Sequence, residues 1–210
     1  MTEIIAIAAI VLVAWFVGGT IWNIRRGRLL MRWMQDGLPV LGERTTVRWL
    51  GSTAVEMAIR AGNAPFASVT LVIFLEARDM PWMWVLGRAR GRRDILIIRG
   101  ALRRVPRLEF EALDTASWSG REVLRRLPLE WSAHQMAERA EIAVYCSDST
   151  STARAGALLT EAHRDGLDVK RLSVRRAEPH FQIHVALPDQ VQPARGFFDS
   201  VKAIAGRALD

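Results

Sequence analysis

Cysteine is nearly absent from this chain, as is lysine: Cys146 stands alone, and only Lys170 and Lys202 carry an ammonium. One cysteine excludes an internal disulfide framework and agrees with a reducing compartment. There is no glycine-rich P-loop, no zinc-finger, helix-turn-helix or RRM signature, no internal repeat and no low-complexity tract. Charge is missing altogether from Ile4 to Ile24.

What is present is arginine. The formal charge is +7 on 210 residues. Guanidinium groups suit phosphate and carboxylate, so the functional reading is an anionic partner such as lipid headgroups or nucleic acid, against the plainer one of a coding bias toward arginine. Many of the arginines also alternate with apolar residues, as outward-facing strand positions do.

The uncharged run is apolar all round rather than on one face. Its 21 or so residues at ~1.5 Å each span ~31 Å, the depth of a bilayer's hydrocarbon core. A cleavable signal peptide wants a basic start and a small-residue cleavage site; here Glu3 opens the chain and Trp22-Asn-Ile-Arg25-Arg-Gly-Arg28 follows the run. We therefore expect a retained transmembrane anchor, Ile4 to Ile24. Arg25, Arg26, Arg28 and Arg32 hold the following chain in the cytoplasm and leave the amino terminus outside, at the cell (inner) membrane. Ala14 and Gly18 sit four apart, as small residues do in paired membrane helices, which allows a homodimer.

Beyond Trp22 a helix continues, with Arg25, Arg28, Arg32 and Asp36 on one face and Leu29, Leu30, Trp33 and Met34 on another. The apolar face lies either on the inner leaflet, with Trp33 in lipid contact, or on the soluble domain.

The soluble chain reads as α+β in two parts, after an anchor and juxtamembrane helix over 1–36. Residues 44–128 predict an antiparallel β-meander closed by a helix. Val55 to Arg60 and Arg107 to Ala112 alternate; Val69 to Leu75 and Ile95 to Ile98 are continuous β-branched runs, with turn signals between them. A capping box at Ser119-Gly-Arg-Glu122 opens the helix and Pro128 ends it. Residues 139–210 predict strand, helix, strand, strand, helix: Ile142 to Cys146, Ser151 to Arg164, Val169 to Arg175, Phe181 to Leu187 and Pro193 to Ala208. That order is a ferredoxin-like βαββα half with its strand pair antiparallel, possibly one domain with the preceding part.

The candidate contact site is Pro81-Trp82-Met-Trp84-Val-Leu-Gly87-Arg88-Ala-Arg90-Gly-Arg92-Arg93, expected as an aromatic strand running into an arginine turn. Tryptophan favours the headgroup boundary and arginine the phosphates, so Trp82, Trp84, Arg88, Arg90, Arg92 and Arg93 are expected to meet lipid or a partner. The competing arrangement buries both tryptophans on one strand face. Arg99, Arg103, Arg104 and Arg107 would extend the patch toward nucleic acid, but no motif supports that.

No catalytic, cofactor or metal site is expected. His180 and His184 on one strand face would lie ~14 Å apart, too far to share an ion. Cys146 has no histidine at a known spacing and reads as a buried thiol. Ser147 to Thr152 reads as a helix N-cap rather than a phosphate cradle. The expected function is therefore binding or scaffolding at the inner membrane face, through an unknown membrane protein or anionic lipid. A dimeric small-ligand sensor is the alternative; nucleic-acid binding or an unrecognised enzyme ranks below both.

Overall fold

A computed structural model of the chain describes all residues except 116, 137–140, 188–192 and 210, with the backbone alone at 118, 119 and 135. It is α+β: one long amino-terminal apolar helix, then a nine-stranded antiparallel sheet with further helices.

Helix α1 runs unbroken from Thr2 to Gln35 and is long and apolar enough to cross a membrane. Residues 2–18 are exposed on every side, whereas Asn23, Gly27, Leu30 and Met34 are buried at helical spacing. Of the apolar face expected after Trp22, Leu30 and Met34 therefore pack on the domain. A short helix α2 (Leu38–Leu41), with Pro39 in its first turn, turns the chain into the sheet.

Four strands form a meander: β1 (Gly42–Trp49), β2 (Ala54–Gly62), β3 (Phe66–Phe74) and β4 (Ile95–Leu102), each antiparallel to the next. Between β3 and β4 lies helix α3 (Pro81–Ala89). This corrects the expectation of an aromatic strand there: Pro81 in the first turn fixes a helical φ and gives up a donor that a helix start leaves unpaired anyway.

The meander stops at β4. Strand β5 (Phe110–Asp114) pairs instead with the later strands, and α4 (Trp118–Leu124) follows it. The N-cap of α4 is Ser117, whose Oγ accepts from the Gly120 amide at 2.9 Å, two residues earlier than the capping box expected at Ser119. Glu122 instead pairs with Arg126 one turn on, at 2.7 Å. After β6 (Ser132–Gln135) come β7 (Ile142–Cys146), α5 (Ser149–Arg164), β8 (Val169–Val174), β9 (Phe181–Ala186) and α6 (Ala194–Arg207), the expected order of elements. Gly166 at φ +77° ends α5 in the left-handed region that β-carbons disfavour.

Strand order is β1-β2-β3-β4-β9-β8-β5-β7-β6. Strands β8 and β9 are antiparallel. Because β5 is antiparallel to both β7 and β8, those two run parallel with β5 between them, a split β-α-β unit crossed by α5. The β4·β9 ladder, from Ile95↔Ala186 to Gly100↔Phe181, makes one continuous sheet of the early and late strands.

One face of this sheet is the core. Alternate residues such as Met57, Leu71, Ile98, Ile183, Leu172 and Val144 join Leu30 and Met34 of α1, Leu158 of α5 and Phe198 and Val201 of α6 in one buried cluster. The opposite face carries a second, partly polar layer that includes the buried Glu111, Ser173 and His184.

Candidate membrane-facing site

The lower half of α1 meets the segment between β3 and β4 through a dense polar network. Asn23 is the first buried residue along α1, and its Nδ2 donates to the Glu76 carbonyl at 3.2 Å. Its Oδ1 accepts from Arg78 Nη1 at 3.3 Å, so one amide side chain ties both ends of the 76–78 turn to the helix. Arg78 also grips Asp94 with two parallel bonds, 3.0 and 3.1 Å, the fork geometry only arginine offers. Asp94 Oδ1 further accepts from the Glu76 amide at 2.8 Å, and Arg26 of α1 reaches Asp94 at 3.7 Å. Charges this well covered must be paired, because a lone buried ion costs several kcal/mol. Here each carboxylate has its guanidinium.

Higher on α1 the same turn touches the helix backbone. A β-carbon on Gly19 would lie 2.6 Å from the Asp79 Cα, so only glycine admits this approach. Trp15 Nε1 donates to the Arg78 carbonyl at 2.9 Å. Asp79 is buried and accepts from Ser52 Oγ at 2.7 Å.

Helix α3 stands beside this contact. Trp84 turns inward: its Nε1 donates to Glu76 Oε2 at 2.6 Å, and its ring lies 6.2 Å from that of Trp15. Arg88 reaches the same carboxylate at 3.4 Å and stacks over the Trp84 ring at 5.8 Å. The other side of α3 is apolar and uncovered, with Met80, Trp82, Met83, Val85 and Leu86 all exposed and Trp82 at 57%. Fully burying each such side chain stabilises by about 1.5–3 kcal/mol. Left in water, this face forgoes several kcal/mol, which is unusual for one short helix. At Gly91, φ +77°, the chain turns, with Arg90, Arg92 and Arg93 around it exposed.

The structure thus places Trp82, Trp84 and Arg88 on one helix, with Arg90, Arg92 and Arg93 in the turn after it, rather than on a hairpin; of these Trp84 meets α1, through Trp15. Tryptophan does not fill the core here. Trp33 lies elsewhere: it packs edge-on against Phe197 of α6 at 5.6 Å, so it serves the domain's core. Sequence reading missed Trp15, Asn23, Glu76, Arg78 and Asp94. The available signal was Asn23, a lone amide among the apolar and small residues that precede Arg25.

The remaining candidates are accounted for locally. Cys146 is buried, with Sγ 3.0 Å from Thr152 Oγ1. Asp148 caps α5 by accepting from the Ser151 amide at 2.7 Å, a bond that holds its carboxyl below the usual range. Arg103 donates to the Gly62 and Phe66 carbonyls at 2.8 and 3.0 Å, which makes it a structural strap between strands. His180 Nδ1 accepts from the Leu102 amide at 3.0 Å.

On the sheet's second face Glu111, wholly buried, is shared by Arg171, Arg175 at 3.0 Å and Ser173 at 2.8 Å. His184 lies beside them. Burial first, then the Arg171 and Arg99 charges, push its pKa down to about 3, and its Nδ1 has no hydrogen-bond partner among the described residues. Among those residues no group of three His, Cys, Asp or Glu side chains gathers to hold a metal.

No protein-family model matches the chain, and no curated protein matches it.

Proposed function

We propose that this is a single-pass membrane protein whose α+β domain sits at the cytoplasmic face of the cell membrane and acts there, without catalysis, as a binding or scaffolding module. The carrying observation is α1 itself: one unbroken helix whose first half is apolar and bare while its second half is pinned to the domain by Asn23, Gly27, Leu30 and Met34. Water does not tolerate the first half; a bilayer does. The arginines from Arg25 onward favour retention of the domain inside. Anionic headgroups or a membrane protein are the partners that the exposed α3 and its arginines suit.

Fractionation tests this directly. The full-length protein should stay with membranes through alkaline carbonate, and purification in mild detergent should retain anionic lipid or a defined membrane protein. Release of the protein by carbonate would overturn the reading.

A second reading treats the late strands as a ferredoxin-like half that, as a dimer, senses a small ligand. The buried Nδ1 of His184, without a partner among the described residues and beside Arg99 and Arg171, favours it. Thermal stabilisation by one fraction of a metabolite pool would support it by mass action, and no stabilisation by any fraction would discard it.

A further inference from the structure

Residues 2–18 of α1 are exposed, with Trp15 reaching back to Arg78 and Trp84; from Gly19 the helix backbone itself runs against Arg78 and Asp79. Roughly 17 residues rise ~25 Å, several ångströms short of a ~30 Å hydrocarbon core, which asks for about 20. On the membrane topology proposed above, on which this inference rests, the last turns of the span share their depth with whatever packs on them. What packs on them is the chain between β3 and β4.

Its path along α1 can be followed contact by contact. The Glu76 carbonyl meets Asn23, and the Arg78 carbonyl meets Trp15, so the chain climbs toward the amino terminus of α1. Helix α3 begins there and comes back down: Trp84 and Arg88 both return to the Glu76 carboxylate. The apex, Met80 to Met83, is apolar, and the base carries arginine.

We propose that α3 is a second membrane-embedded element, dipping into the cytoplasmic leaflet beside the anchor. Met80, Trp82, Met83, Val85 and Leu86 lie among acyl chains. Arg88 and the arginines that follow sit at the level of anionic headgroups. Lipid, rather than a protein, is the occupant because α3 adjoins the bare run of α1: Trp84 on its inner side meets Trp15, which leaves its apolar outer side uncovered beside the proposed anchor. Several polar groups near this depth already have partners, which lowers the cost of placing them beside lipid, while the Trp82 and Met83 amides in the first turn of α3 have no side-chain cap. Pro81 has no amide hydrogen to leave open, the Trp84 amide donates to the Met80 carbonyl at 2.9 Å, and Asp79 is held by Ser52. Arg78 is neutralised by Asp94, and Glu76 by Arg88. Two attachment points instead of one would fix the tilt of the domain on the membrane, so that a partner meets it in one orientation.

Full-length Met83→Cys, Val85→Cys and Leu129→Cys proteins test this by reaction with a membrane-impermeant maleimide, the parent protein with its buried Cys146 serving as blank. Residues 83 and 85 point out of the fold and Leu129 is wholly exposed, so all three substitutions leave the core alone. In inside-out vesicles Leu129→Cys should react fully while Met83→Cys and Val85→Cys react at least tenfold more slowly. Purified protein in liposomes of phosphatidylcholine and phosphatidylglycerol should show the same ratio. Equal rates at the three sites would overturn the proposal. So would protection in native vesicles that vanishes in liposomes, which would assign the face to a protein. Reaction of Leu129→Cys only from the opposite side of the membrane would instead overturn the topology on which the proposal rests, a result distinct from either.

Discussion

The two halves of α1 share a backbone but no environment. From Ile4 to Gly18 every position is exposed, whichever way it points. From Gly19 to Gln35 burial follows a stripe, Asn23, Gly27, Leu30 and Met34, with Arg25, Arg28 and Arg32 on the outside. The upper half has a pattern that suits a solvent uniform around the helix. The lower half suits one with two sides, protein and water. The change falls where the 76–79 turn meets the helix backbone, and the glycine pair at that point records it. A β-carbon on Gly18 would meet nothing within 4 Å, whereas one on Gly19 would meet backbone.

The largest effect should come from the clamp. Arg78→Met leaves Asp94, about one-tenth exposed, without its fork, and breaking so covered a pair costs about 3 kcal/mol. Thermal unfolding of the detergent-solubilised protein measures it, and an unchanged midpoint would mean that the halves of α1 are not divided as described. Next come the two glycines. Gly19→Leu should destabilise by about 2 kcal/mol through overpacking against the turn, and Gly18→Leu by about zero. If Gly18→Leu instead abolishes crosslinking between copies, the bare half pairs in the membrane.

A change remote from α1 should spare the anchoring. His184 titrates near 3 in the folded protein and near 6.5 unfolded, so the unfolded chain binds more protons below pH 6.5. Stability is full above that pH and falls as pH drops toward 3, by about 2 kcal/mol between pH 6.5 and 5. His184→Gln should flatten that window without altering membrane extraction. The smallest loss expected from removing a contact is that of Trp15→Phe, which deletes one hydrogen bond to the Arg78 carbonyl and should cost about 1 kcal/mol.

Local patterns carried much of this into the sequence. The apolar run, its arginine flank and the late strands and helices depend on periodicity and stop signals within a few residues, and β7 begins and ends where Ile142 and Cys146 say it does. What was not legible depends on distant partners. The order of the sheet rests on β5 choosing β7 and β8, and on β9 choosing β4, pairings that no local pattern encodes. Pro81 to Leu86 is rich in residues that favour strands, yet it is held as a helix by Trp84 and Arg88 closing on Glu76. The clamp of Asn23 on Glu76 and Arg78 spans more than fifty residues of chain.

The central claim is that the upper half of α1 lies in lipid and the domain inside. Protease protection of the full-length protein carrying a carboxyl-terminal epitope tests it most directly. The account predicts that the epitope survives in intact right-side-out vesicles and is lost in inside-out ones, with residues 1–24 retained in the membrane fraction. Loss of the epitope from right-side-out vesicles, or a mature chain that begins beyond Trp22, would contradict it.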